Sequence, residues 1–157
     1  METCIVEGNI SVKAVLLGKK RKVHKILVDA KKKDKDTAFI LHKAKEAQVD
    51  ITYMKREEID ALATGKTHGG IIAYCGQRKY QNLEELVNKK QVFLALVEGV
   101  EDPFNFGYVL RTLYAAGCDG VLVPLRNWTT AADVVTRASA GASEYINIII
   151  ADDMEDT

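Results

Sequence analysis

The sequence predicts an α/β protein built as two consecutive units. Three observations carry this prediction. β-Branched runs alternate with segments of helical spacing, a polar aperiodic stretch at 76–82 interrupts the alternation, and a continuous apolar run follows it. The first unit opens with a short helix over residues 10–17. Residues 23–28 (Val-His-Lys-Ile-Leu-Val) are β-branched and partly alternating, and read as a strand ending at Asp29. Thr37 is the expected N-cap of a helix running to Ala47, with Phe39, Ile40, Lys43, Ala44 and Ala47 at helical spacing. A short strand at 50–54, a helix over 55–63 with Ile59 and Leu62 inward, a glycine turn at 67–70 and a strand at 71–74 complete a βαβαβ order. The chain therefore divides into residues 1–76, a linker at 77–82, and residues 83–157.

The second unit repeats the alternation. A helix covers 83–88, and residues 92–97 (Val-Phe-Leu-Ala-Leu-Val) suit a strand buried on both faces. A helix over 105–116, a strand at 120–123, a helix over 131–138 and a strand at 146–150 follow.

Composition excludes several classes. The hydrophobic fraction is 47% and the charged fraction 28%, as in ordinary globular chains and unlike disordered ones. No apolar run approaches the roughly 20 residues that span a bilayer, and the N-terminus has no basic region leading into an apolar stretch. Cys4, Cys75 and Cys118 form no CxxC pair, and His24, His42 and His68 are equally scattered, so no metal site is expected. Reduced thiols in a cytoplasmic protein are the natural reading.

Formal net charge is zero, yet its distribution is uneven. Residues 1–50 hold 12 Lys+Arg against 7 Asp+Glu, a net of +5. Residues 51–100 hold 7 against 6, and residues 101–157 hold 3 against 9, a net of −6. The basic residues gather as Lys19, Lys20, Arg21, Lys22 and Lys25 on one side of the strand, and as Lys31, Lys32, Lys33 and Lys35 on the other. Two positive clusters flanking one strand can track a phosphate backbone, each lysine as a point charge. A solvated lysine-rich surface is the plain alternative.

The chemistry-bearing segment is Glu98 to Thr112, which leaves the apolar run and enters a helix. Ligand sites in parallel α/β sheets lie beyond the carboxyl ends of strands. Asn105 stands where an N-cap belongs, Gly107 leaves room for a close approach by backbone or ligand, and Arg111 sits in the second turn within reach of a phosphate or developing anion. A capped helix carrying a surface arginine explains the same residues without function.

Asp102-Pro103-Phe104-Asn105-Phe106-Gly107 with Arg111, the downstream residues 115–121 (Ala-Ala-Gly-Cys-Asp-Gly-Val), and Arg137-Ala138-Ser139-Ala140-Gly141-Ala142 with Glu144 closely resemble the SpoU/TrmH family. These are SPOUT-superfamily RNA ribose 2′-O-methyltransferases that use S-adenosylmethionine. Residues 23–29 and 67–73 resemble the family's N-terminal RNA-binding domain, an α/β module similar to certain ribosomal proteins. The resemblance implies a ribosomal-protein-like α/β domain followed by a SPOUT (α/β knot) parallel-sheet domain. It implies that Arg111 acts on the target ribose 2′-hydroxyl and that Asn105 helps build the site, while Glu144 receives no catalytic role. Structured ribosomal or transfer RNA is the implied partner, homodimerisation the implied assembly, and RNA maturation the implied process.

The family continues with a Gly-x-Glu-x-x-Gly loop and an Ile-Pro-Met segment leading to a Ser-Leu-Asn-Val-Ser run, which close the knot and hold the methyl donor. Neither occurs within these 157 residues. The expectation is an incomplete SPOUT domain, a truncated and inactive form in which the main donor contacts are absent. The competing expectation is a non-catalytic RNA-binding or assembly module.

Overall fold

The computed structural model describes residues 3–126 and 131–151. The first half contains β1 (Cys4–Glu7), α1 (Asn9–Gly18), β2 (Arg21–Asp29), α2 (Lys35–Glu46), β3 (Asp50–Met54), α3 (Arg56–Leu62) and β4 (Ile71–Arg78). Its four strands form one sheet in the order β1-β4-β2-β3. β2 and β3 run parallel, joined across α2, whereas β4 is antiparallel to both β1 and β2. Both faces are covered. Val12, Val15, Ile40 and Ala44 of α1 and α2 pack on Ile26, Val28, Ile71 and Ala73. Ile59 of α3 packs on Leu27 and Ile72 from the other side.

The second half contains α4 (Leu83–Val87), β5 (Leu94–Leu96), α5 (Pro103–Ala115), β6 (Gly120–Pro124), α6 (Ala132–Ala138), α7 (Ala142–Tyr145) and β7 (Ile148–Ala151). Its sheet is parallel throughout, in the order β5-β6-β7. Phe106 and Leu110 of α5 and Val135 of α6 cover one face, against Val121, Val123 and Ile148. The opposite face receives Leu86 and the partly buried Leu83 from the short α4, on Leu122 and Ile149.

Several expectations need correction. β1 was not expected; its four residues are too few to show a period, and its pairing with β4 (Cys4 opposite Cys75) comes from tertiary structure. The run 92–97 does not form a strand buried on both faces. β5 keeps only three residues at the sheet edge, with Phe93 43% and Leu96 53% exposed, because among the described residues β6 alone flanks it and α4 is too short to cover it. β4 continues through Gln77 and Arg78, so the strand extends two residues into the stretch read as linker. α7 appears where no separate helix was expected.

Both chosen N-caps fall three residues late. Asp34 caps α2 by accepting from Thr37 N at 2.8 Å, and Asp102 caps α5 by accepting from Asn105 N at 2.9 Å. A carboxylate suits the positive end of a helix as well as a hydroxyl or amide does, and Pro103 after Asp102 takes the first helical position, where no N–H is needed. The acidic stretch 152–157 lies outside the described residues.

Candidate functional site

The basic stretch around β2 splits into two kinds of residue. Lys19, at the left-handed C-cap of α1, Lys22 and Lys25 are exposed and have no ion pair among the described residues. Arg21 turns inward. Its side chain is 7% exposed, Nε donates to Glu144 Oε2 at 3.1 Å, and Nη2 lies 2.9 Å from Oε1. Burial works against the Arg21 charge, and the Glu144 carboxylate more than offsets it, holding the guanidinium above its ordinary pKa. Lys20 is half-buried, its Nζ donating to Asn147 Oδ1 at 2.7 Å, and burial followed by the nearby Arg78 charge lowers its pKa. Lys32 is bound to Asp34 Oδ2 at 2.8 Å and so supports the cap of α2.

On α5, Asn105 and Arg111 are both exposed, and neither side chain has a partner among the described residues. At 3.6 residues per turn their six-residue spacing sets them about 120° apart around the helix, so the two candidate catalytic residues do not share a face. Gly107 lies against α6. A Cβ there would stand 2.6 Å from Ala138 Cβ and 3.0 Å from Val135 O, so glycine is what lets α5 lie directly on α6.

The two halves are joined by two ion pairs of opposite sense, each with a buried carboxylate. Arg21 of the first half meets Glu144 of the second; Glu7 of the first meets Arg137 of the second at 2.8 Å. Glu144 is 1% exposed, and Thr136 Oγ1 also donates to it at 3.4 Å. Glu7 accepts further from Thr64 N, Thr64 Oγ1 and Gly65 N, while its own N–H donates to Asp133 Oδ1 at 3.0 Å. Burial raises the Asp133 pKa, with Arg137 opposing. Arg78 adds a third link by donating to the carbonyls of Ser143 and, at 2.6 Å, Ile146. Beside these links lies a cavity of about 490 Å³, lined among others by Arg21, Arg78, Tyr80, Phe106, Arg126 and Glu144. Asn105 and Arg111 do not line it.

Sequence reasoning passed over Glu7 and Arg78 and left Arg137 and Glu144, both in the motif stretch, without a role. A signal for Glu144 existed: it is the single charged residue between Arg137 and Asp152, in a stretch leading into an apolar strand, and a carboxylate buried there requires a partner. Arg78 looked like a linker residue and carried no such signal.

Comparison with known proteins agrees with this two-part architecture. Residues 5–81 match the profile described as RNA 2′-O ribose methyltransferase substrate binding, and residues 91–157 match the SpoU rRNA Methylase family. The chain belongs to the SpoU/TrmH family. A relative from Staphylococcus aureus (strain COL), named as a TrmH family tRNA/rRNA methyltransferase, is 29% identical over 155 residues, which is 95% of this chain and 61% of the relative. YacO of Bacillus subtilis, similarly named, is 29% identical over 133 residues, covering 82% of this chain and 53% of YacO. The chain thus spans about three-fifths of the Staphylococcus aureus relative and about half of YacO. Among solved SpoU/TrmH folds, the AdoMet-bound rRNA methyltransferase of Sinorhizobium meliloti superposes with a TM-score of 0.73 at 20% identity, over 99% of this chain and 56% of that one. AviRb of Streptomyces viridochromogenes, in complex with AdoMet, gives 0.73 at 14% identity, over 99% and 57%. Among the described residues no helix is long and apolar enough to cross a membrane, and no group of His, Cys, Asp or Glu could hold a metal ion.

Proposed function

We propose that this chain supplies the RNA-holding part and the opening catalytic segment of a ribose 2′-O-methyltransferase acting on structured ribosomal or transfer RNA in the cytoplasm. Residues 1–76 hold the RNA, 77–82 join, and 83–157 begin the methyltransferase domain. The observation that carries the reading is Arg111: an exposed guanidinium, unpaired among the described residues, on a helix fixed by the Asp102 cap and by the Gly107 contact with α6. Arginine stays protonated at neutral pH, so its role is to stabilise the nascent 2′-oxyanion rather than to take the proton. Lys19, Lys22 and Lys25 meet the phosphates directly. Lys20, Arg21 and Lys32, already engaged within the protein, shape that surface from behind. The exposed apolar residues Phe104, Tyr108 and Tyr114 of α5 favour a homodimer through the second half.

The methyl donor of this reading is S-adenosylmethionine, the ligand named for the two solved relatives. The junction cavity does not suit it. S-adenosylmethionine carries a net positive charge, and the cavity presents three guanidinium groups against one carboxylate. No catalytic step is therefore routed through that cavity. The same observation favours a second reading, a non-catalytic RNA-binding or assembly module formed by these residues.

Two assays separate the readings. Transfer of a labelled methyl group to total RNA by the protein as its gene encodes it, with the product mapped to a ribose 2′-oxygen, supports the enzyme. Tight RNA binding with neither donor binding by calorimetry nor transfer supports the module. Absence of RNA binding overturns both.

A further inference from the structure

We propose that the junction cavity is a binding site for a single phosphorylated nucleotide of the RNA, with the phosphate against Arg78 and Arg126 and the base against Tyr80. The inference rests on the reading of the chain as an RNA-binding protein, and it centres on Arg78, Arg126 and Tyr80, to which that reading gives no role.

Among the described residues, two buried polar atoms of wall residues are without partners. Arg78 is 7% exposed and spends Nη1 and Nη2 on carbonyls at the end of α7, leaving Nε unbonded; Ser143 Oγ, also buried, has no partner either. Buried donors are almost always satisfied, and each exception asks for a missing partner. Both residues line the same cavity.

Charge identifies the partner as an anion. Of the three guanidinium groups, Arg21 is committed to Glu144 in a two-point pair. Arg78 stands 3.9 Å from that already engaged carboxylate. Arg126 reaches Glu101 at 3.4 Å, but both side chains are well exposed, so a ligand oxyanion can displace that contact at little cost. Burial pulls the Arg78 pKa down to about 10 despite Glu144, with the Arg21 charge adding to the effect. Its positive charge is under-compensated, and an arriving phosphate would form charge-assisted bonds to it.

Size and wall chemistry extend the ligand beyond a bare phosphate. About 490 Å³ lies in the range of small-molecule sites and far exceeds an inorganic ion. Val135, Ile148 and Phe106 give an apolar wall, and Tyr80, 39% exposed, adds an aromatic side chain to the lining. An anionic head on a flat, largely apolar body describes a nucleotide. The position also fits: Arg21 comes from the basic strand β2, and Phe106 follows Asn105 in the first turns of α5. A nucleotide held here would tie the RNA path on the first half to the helix that carries Arg111.

The test titrates adenosine and guanosine 5′-monophosphate, the corresponding nucleosides, inorganic phosphate and S-adenosylmethionine into the protein, then repeats the titrations with a short oligoribonucleotide present. Tyr80→Ala and Arg126→Ala are suitable variants because both side chains are partly exposed, so neither should move the melting temperature appreciably. The expected result is monophosphate binding that the nucleosides, phosphate and S-adenosylmethionine do not match. That binding should weaken about 5- to 100-fold in Tyr80→Ala, as for a lost stacking contact, and at least about tenfold in Arg126→Ala, in line with loss of a charge-assisted bond. The oligoribonucleotide should compete. Equal binding of nucleoside and monophosphate, preference for S-adenosylmethionine, or affinity indifferent to both variants would overturn the site. Monophosphate binding without competition by RNA would make it a free-nucleotide site and overturn the RNA assignment. Wild-type RNA affinity that persists unchanged in both variants would reject this cavity while leaving the RNA-binding reading intact. Absence of RNA binding in the wild type would remove that reading itself.

Discussion

The junction between the halves and the outer rim of β2 draw on the same short stretch of sequence and use its charges in opposite ways. At the junction, Arg21 is enclosed and matched with Glu144. One residue further on, Lys22 stands in solvent with no ion pair among the described residues. A charge removed from water must be matched by a partner; a charge left in water remains available to a phosphate. Proximity in a basic run therefore says little about role. The side of the strand on which a residue emerges says more, and each side makes different demands on substitution.

The largest effect is expected at the junction. Arg21→Ala would leave the Glu144 carboxylate buried without its main partner, and removing one member of a buried pair costs about 3–5 kcal/mol. Replacing the pair together, as Arg21→Met with Glu144→Leu, should cost much less. Urea denaturation checks both variants, with the midpoint moving and the slope constant. An unmoved midpoint for Arg21→Ala would break the contrast between the two sides.

Next in size is the effect of Arg111→Ala on methyl transfer by the protein as its gene encodes it. A lost charge-stabilising group lowers such a rate by about 10²–10³, equivalent to about 3–4 kcal/mol. Stability should change by less than about 0.5 kcal/mol, because the side chain is exposed and unpaired. Arg111→Lys should recover little, since an ammonium lacks the planar fork. Single-turnover kinetics at saturating donor read the rate without confusion from binding.

Gly107→Ala should destabilise by about 1–3 kcal/mol, the usual range for overpacking, because the added methyl meets Ala138 and the α6 backbone. Thermal unfolding would detect this, and an unchanged melting temperature would mean that α5 is not seated against α6 as described.

The smallest effect concerns pH. The Lys32 ammonium, followed by the Thr37 N–H and hydroxyl, holds the Asp34 carboxyl well below the usual carboxylate range. A depressed folded-state pKa contributes stability above the unfolded value of about 3.9 and loses it as pH falls toward the folded value. The stability difference between wild type and Asp34→Ala should therefore be level from about pH 7 down to about pH 5. It should narrow only below about pH 4.

The alternation of strands and helices was readable because β2, β3 and α2 are long enough to show their periods. β1 was not, since Cys4–Glu7 joins the sheet only through its pairing with β4. β5 misled in the opposite direction: an apolar run implies burial, but burial also requires a covering element, and α4 has only five residues. Thr37 and Asn105 were plausible caps, yet each lies at the third helical position behind an aspartate that performs the capping. The motif helix could be read from its residue pattern. The junction could not, because the link between Arg21 and Glu144 spans 123 positions and no local pattern records it. The register irregularity of β2 against β4 between Arg21 and Lys25 further obscures which charges face inward.

The division of the basic run is tested most directly by the salt dependence of RNA affinity. Lys22→Ala with Lys25→Ala should reduce the magnitude of the slope of log affinity against log salt by about 1.4–1.8. That estimate assigns about 0.7 per contact on single strands and about 0.9 on duplex, with DNA values as the guide. The double variant should unfold at the same urea concentration as the wild type. The paired replacement Arg21→Met with Glu144→Leu should leave the slope where it was. A slope unchanged by loss of the two lysines, or lowered by the paired replacement at the junction, would contradict the account.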